Sequence, residues 1–135
     1  LGEKAVLLDA ASGAGTDAVR LAAGDDVLFV VGVAPYARLT VDLARHATAK
    51  GVPVIALTDS VVSPLAGLAA LSILVPTESP SFFHTMSPAF FVVEILAALI
   101  AGKGGEKSLA AIRRTEDQLS ELDIHLLPPR GRRNL

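Results

Sequence analysis

The stretch Asp26-Val27-Leu28-Phe29-Val30-Val31-Gly32-Val33-Ala34-Pro35-Tyr36-Ala37-Arg38-Leu39-Thr40 decides the fold. Its first half is an almost unbroken apolar run, the pattern of a strand buried on both faces in a parallel sheet. Its second half opens an amphipathic helix. Leu39, Leu43 and Ala47 repeat at i, i+4 and i+8, while Arg38, Asp42, Arg45 and Lys50 turn elsewhere and Gly51 stands where the helix should end. A strand that runs directly into a helix leaves backbone N–H groups free at the turn, where an anion is favoured.

Outward from this stretch, residues 5–9, 52–58 and 71–75 are further short runs rich in Val, Ile, Leu and Ala. With 27–33 they predict four strands, of which 27–33 and 52–58 should lie in the middle of the sheet. Ser63-Pro64 supplies an N-cap and a first-turn proline for a short helix reaching about residue 70, and Ser87-Pro88 repeats the device before an apolar helix over 89–101. A short helix is expected over 16–23. The break Gly102-Lys103-Gly104-Gly105 precedes a last helix over 106–123, with Leu109, Ile112, Leu119 and Leu122 along one stripe.

Strands alternating with helices imply an α/β fold, a doubly wound parallel sheet whose ligands bind at the carboxyl ends of the strands. The domain is expected to span 1–123, followed by a basic, proline-containing tail over 124–135.

Composition narrows the function classes. A chain of 135 residues has room for one well-buried core. It contains no cysteine, which excludes disulfides and thiolate metal sites and suits the cytoplasm. A formal net charge of -2 offers no general attraction to DNA. The 13 apolar-rich residues of 89–101 fall short of the roughly 20 that span a bilayer, and the first residues lack the pattern of a signal peptide. Neither a membrane nor DNA is therefore expected as a direct partner. Without a P-loop, a GxGxxG pattern or a Cys/His cluster, no cofactor or metal is expected.

The opening stretch, together with Gly51-Val52-Pro53-Val54-Ile55-Ala56-Leu57-Thr58-Asp59-Ser60 and Ser63-Pro64-Leu65-Ala66, resembles the sugar isomerase (SIS) domain over about 1–101. Tyr36-Ala37-Arg38-Leu39-Thr40 and Thr77-Glu78-Ser79-Pro80-Ser81-Phe82-Phe83 look most like the effector domains of RpiR-type transcriptional regulators. The resemblance implies an effector-sensing domain that binds a phosphosugar or related acidic metabolite and forms a homodimer or higher oligomer. DNA would be contacted only through a helix-turn-helix domain outside this chain. It also implies a flavodoxin-like strand order, 2-1-3-4-5, whose first strand should precede residue 1, leaving a slot between 5–9 and 27–33. The alternatives are a sugar-phosphate isomerase and a SIS module that binds nothing and only dimerises.

The family's phosphate turn carries a Ser-x-Ser-Gly-x-Thr pattern. Its hydroxyl positions fall here on Gly32, Ala34 and Ala37, and its glycine on Pro35, which has no N–H. Each lost hydrogen bond to a charged phosphate is worth about 1.5–3 kcal/mol. Arg38 is the expected compensator, since arginine binds anions bidentately, with a solvated helix position as the alternative reading. Tyr36 either touches the ligand or packs over the sheet edge.

Ser79, Ser81 and His84 form a second candidate patch after the fourth run, with turn-capping and packing roles as the alternatives. Phe82 and Phe83 are expected in the core or an interface. Restoring the three hydroxyls should strengthen phosphosugar binding. Isomerisation needs a positioned base, and only Glu78, His84 and Glu94 are near enough, so no catalytic residue is assigned and isomerase activity is not expected. His46, one turn after Asp42, reads as one half of an exposed helix pair.

Overall fold

The computed structural model describes residues 5–8 and 14–121. In chain order the elements are α1 (Ala14–Leu21), β1 (Leu28–Val31), α2 (Arg38–Ala49), β2 (Val54–Thr58), β3 (Leu71–Leu74), α3 (Ser87–Lys103) and α4 (Gly105–Glu121). They fall into two compact units, residues 5–94 and the described residues from 95 onward, with the boundary inside α3.

In the first unit the three strands are parallel and lie in the order β1-β2-β3, with Val30 opposite Ala56 and Ala56 opposite Ser72. Alternation along β2 divides the core. Val54 and Ala56 pack with Val30, Val19, Leu65 and the α2 residues Ala44 and Ala47, whereas Leu57 packs with Val75 and the α3 residue Ala89 in a separate cluster. Small alanines on α2 let the helix lie close to the sheet. Both faces of β2 are thus covered, which makes the layer doubly wound and explains its continuous apolar sequence.

β1 departs from the expected middle position. Only Val30 is buried, Phe29 and Val31 are both 38% exposed, and β2 is its only strand neighbour among the described residues. Residues 5–8 are not in a strand, and residue 9 lies outside the described residues. An apolar run becomes a strand only where a neighbour accepts its ladder bonds, and 5–8 has none among the described residues.

Helix α2 ends as its sequence implies. Gly51 takes φ +77°, its N–H donates to the Thr48 carbonyl (3.0 Å), and the Val52 N–H donates to the Ala47 carbonyl (3.0 Å). This is a Schellman cap. The buried stripe of α2 runs through Ala44 and Ala47 with Val41 beside them, so Leu39, expected on it, is instead exposed. Asp42 accepts a 2.7 Å hydrogen bond from Arg45, so the expected Asp42–His46 pair is replaced by an i,i+3 pair. Lys50, just past the helix end, donates through Nζ to the carbonyls of Val19 (3.2 Å), Arg20 and Ala22 (3.0 Å), capping α1.

Residues 63–70 form successive turns in place of the expected helix. Ser63 Oγ does accept the Ala66 N–H (3.0 Å), as a cap would. The following bonds mix i+4 and i+3 spacings, and the Ala70 N–H already donates to the Val54 carbonyl (2.8 Å). Entry into β3 draws the chain out before a second helical turn closes, and Gly67 lowers the helical preference further. At α3 the Thr85 hydroxyl accepts the Ser87 N–H (3.2 Å), so Thr85 takes the capping role expected of Ser87.

In the second unit, α3 gives way to α4 at Gly104, and Gly105 adopts φ +52°. A Cβ at Gly104 would stand 1.9 Å from Ser108 Oγ, so any larger residue there requires that buried serine to turn away. Leu109 and Ile112 are exposed, and Leu122 and the tail lie outside the described residues. Among the described residues no single helix is long and apolar enough to cross a membrane.

Candidate functional site

β1 ends at Val31 and α2 begins at Arg38, so residues 32–37 make the turn at the carboxyl end of the sheet. β2 ends beside it at Thr58, and its next residue, Asp59, reaches across. The Tyr36 hydroxyl donates to Asp59 Oδ1 (2.8 Å) and the Ala34 N–H donates to Asp59 Oδ2 (3.2 Å). The Thr58 hydroxyl donates to Oδ1 at 3.3 Å. One carboxylate therefore joins the end of β2 to the turn after β1, across 25 residues of sequence from Ala34 to Asp59.

Burial alone would raise the Asp59 carboxyl, but the bonds from Tyr36, Ala34, its own backbone and Thr58 outweigh it and hold the group below the ordinary carboxylate value. The same contact, with partial burial and the nearby negative charge, raises the Tyr36 phenol above its ordinary value. The pair is a neutral donor on an ionised acceptor.

Beside this lock an open cleft of about 410 Å³ is lined by Tyr36, Arg38, Val41, Asp42, Arg45 and Pro64. Arg38 is exposed and makes no hydrogen bond among the described residues, whereas Arg45 is held by Asp42. Tyr36 and Arg38, both expected from the sequence, thus share one cavity. Ala37 precedes α2 in an extended conformation and gives the helix no side-chain cap, leaving its first N–H groups available.

Gly32 and Ala34 belong to the turn, but Gly32 has a second role. A Cβ there would lie 2.6 Å from Leu65 Cδ1, and Leu65 is fully buried. The space that a serine at position 32 would need is filled by leucine, so simple restoration of that hydroxyl meets the core instead of a ligand.

Ser79, Ser81 and His84 lie in the segment between β3 and α3, and none lines the cleft. Ser79 Oγ accepts the Ser81 N–H (3.2 Å) and Ser81 Oγ accepts the Phe83 N–H (3.3 Å), both local turn bonds. His84 is exposed, and so are Phe82 and Phe83, at 104% and 81%. The two phenylalanines are therefore not core residues of the unit. Glu78 and Glu94 are exposed as well. Asp59, Arg45 and Pro64 are not among the site residues expected from the sequence. The position of Asp59 directly after a strand of a parallel sheet was the available signal.

A parallel layer covered on both faces, with a cleft beside the carboxyl ends of its strands, places the chain in the doubly wound α/β class. Residues 1–99 match the family model of the SIS domain, and the chain belongs to that family. Among solved structures it is similar to the sugar isomerase domain of an RpiR transcription factor from Sphaerobacter thermophilus, at 32% identity and a TM-score of 0.70, over 76% of this chain and 57% of that one. It also shares its fold with the NanR protein of Vibrio vulnificus complexed with ManNAc-6P, at 20% identity and a TM-score of 0.73, over 92% of this chain and 48% of that one. The chain spans about half the length of these two structures. A comparison with curated proteins found no match.

Proposed function

We propose that this chain is the effector-sensing and dimerising domain of an RpiR-type regulator, taking a phosphosugar or related carbohydrate derivative at the cleft beside α2. The observation that carries this reading is the meeting of Tyr36 and an uncommitted Arg38 at the carboxyl end of the sheet. The 32% identity to an RpiR sugar isomerase domain supports the class of protein. The ManNAc-6P complex of NanR supports the ligand class at the level of a shared fold.

In this reading Arg38 binds the phosphate and Tyr36 contacts the sugar. Ala34 and Ala37 contribute backbone groups, and Ser79, Ser81 and His84 join only if their segment closes over the ligand. The protein acts in the cytoplasm, and DNA is contacted by a separate helix-turn-helix domain. Dimerisation would use exposed apolar residues such as Phe90 and Phe91 in the first unit and Leu99 and Leu109 in the second. Isomerisation is not part of the reading: the cleft carboxylate Asp42 is engaged by Arg45, and Asp59 is an ionised acceptor already bonded to the turn.

Calorimetric titration with a panel of hexose and N-acetylhexosamine phosphates tests this. One member should bind, with at least tenfold loss on Arg38→Ala, since a charged hydrogen bond is worth about 1.5–3 kcal/mol. Turnover of any panel member, or no binding across the panel, would overturn it.

A further inference from the structure

We infer that Asp59 is a specificity-determining residue: its carboxylate holds the Ala34 amide of the β1–α2 turn, bars an anion from that turn, and directs a ligand's phosphate to Arg38. The inference deepens the phosphosugar reading above and rests on it for the ligand, but the underlying competition is a property of this chain alone.

Free N–H groups between a strand and a helix ordinarily attract anions. Here the protein supplies its own. Oδ2 of Asp59 accepts the Ala34 N–H at 3.2 Å, while Oδ1 receives the Tyr36 and Thr58 hydroxyls at 2.8 and 3.3 Å. A phosphate entering the turn would have to displace a carboxylate held by three donors, and would then sit within a few ångströms of its negative charge. Moving toward Arg38 avoids both penalties, because that guanidinium has no partner among the described residues and lines the cleft beside the turn together with Tyr36.

An ionised carboxylate has room for about four donors and cannot itself donate. Such an acceptor suits a sugar hydroxyl, which donates, and not a phosphate oxygen. Asp59 therefore orients the ligand, with hydroxyls toward β2 and phosphate toward α2. Leu65 reinforces the arrangement by filling the space beside Gly32.

Inorganic phosphate is the test probe, titrated into the full 15N-labelled chain and followed by amide and arginine Nε–H shifts. In the wild type the Arg38 signals should move while the Ala34 amide stays in place. Asp59→Ala, which removes charge and acceptor together, should tighten phosphate binding roughly tenfold or more, the order expected for lifting a like charge at close range, and the Ala34 amide should now respond. Asp59→Asn, which removes only the charge, should also tighten it. Tyr36→Phe, which loosens the turn but keeps the charge, should not.

Movement of the Ala34 amide in the wild type, no gain in either Asp59 variant, or an equal gain in Tyr36→Phe would overturn the inference. Should the Asp59 variants fail to fold, the wild-type and Tyr36→Phe titrations still decide it. Failure of every sugar phosphate to bind the wild type would remove the functional reading while leaving these phosphate comparisons intact.

Discussion

Two segments leave the carboxyl ends of the same sheet and are held in opposite ways. The β1–α2 turn is fastened to the end of β2 through Asp59, and Leu65 packs directly beneath it. The β3–α3 segment is closed by the Thr85 N–H on the Thr77 carbonyl (3.0 Å) and by serine turns within itself, with Phe82 and Phe83 exposed. Long-range bonds pre-organise the first, whereas local bonds leave the second free to rearrange as a unit. Binding determinants that need fixed geometry belong on the first kind of segment, and a closing element on the second.

The comparison is broken most severely at Leu65. Leu65→Ala should cost about 2–5 kcal/mol, because the side chain is fully buried and its loss leaves a cavity beneath the turn. Urea denaturation measures this, and a loss below about 1 kcal/mol would show that the turn is not supported from below.

Gly32→Ser should follow, at about 1–3 kcal/mol, since Leu65 must move to admit the new side chain. The double variant Gly32→Ser/Leu65→Ala should lose less than the sum of the two singles, a coupling that a double-mutant cycle reads directly. Phosphosugar affinity should not rise in Gly32→Ser, contrary to what the family pattern alone implies.

A smaller effect should appear in the pH dependence of stability. The Asp59 carboxyl is lowered from 3.8 in the folded state, so its contribution is complete above that value and is lost as pH falls through the folded value. The Tyr36 phenol is raised from 10.0, so its contribution is complete below that value and is lost as pH rises through the folded one. Tyr36→Phe should flatten the alkaline limb of the profile and weaken the acid limb as well, because the Tyr36 hydroxyl makes the strongest of the bonds that lower Asp59. An unchanged alkaline limb would mean that the hydroxyl is not bonded to Asp59 in solution.

Least of all should change in the other segment. Ser79→Ala and Ser81→Ala should each shift stability by less than about 0.5 kcal/mol, as exposed turn bonds do. A larger loss that appears only with a bound sugar phosphate would show that the segment closes on the ligand and would sharpen the contrast between the two.

Much of the fold was legible from local pattern. The apolar run of β2, the Gly51 terminator of α2 and the break near Gly104 are signalled within a few residues of where they act. Local pattern misled at residues 63–70, where a good cap and a first-turn proline precede turns, because the next strand claims the Ala70 N–H. It misled again at Leu39 and at residues 5–8, whose hydrophobicity was sound but whose burial depended on neighbours. Of the candidate site, Tyr36 and Arg38 were legible because they start a helix after a strand. Ser79, Ser81 and His84 lie in the segment after β3 and do not line the cleft.

By itself the sequence determined the parallel α/β class, the membership in the SIS family and the loss of hydroxyls at Gly32, Ala34 and Ala37. These rest on residue type, spacing and short-range hydrogen bonding, which the chain carries wherever it goes. Only the tertiary structure decided that Asp59 holds the Ala34 amide, that Leu65 fills the space beside Gly32, and that Tyr36 meets Arg38 and Pro64 in one cleft. The physical reason is the parallel crossover. Placing β2 beside β1 requires a helix between them, so the ends of adjacent strands meet in space while their residues stand some 25 positions apart in sequence.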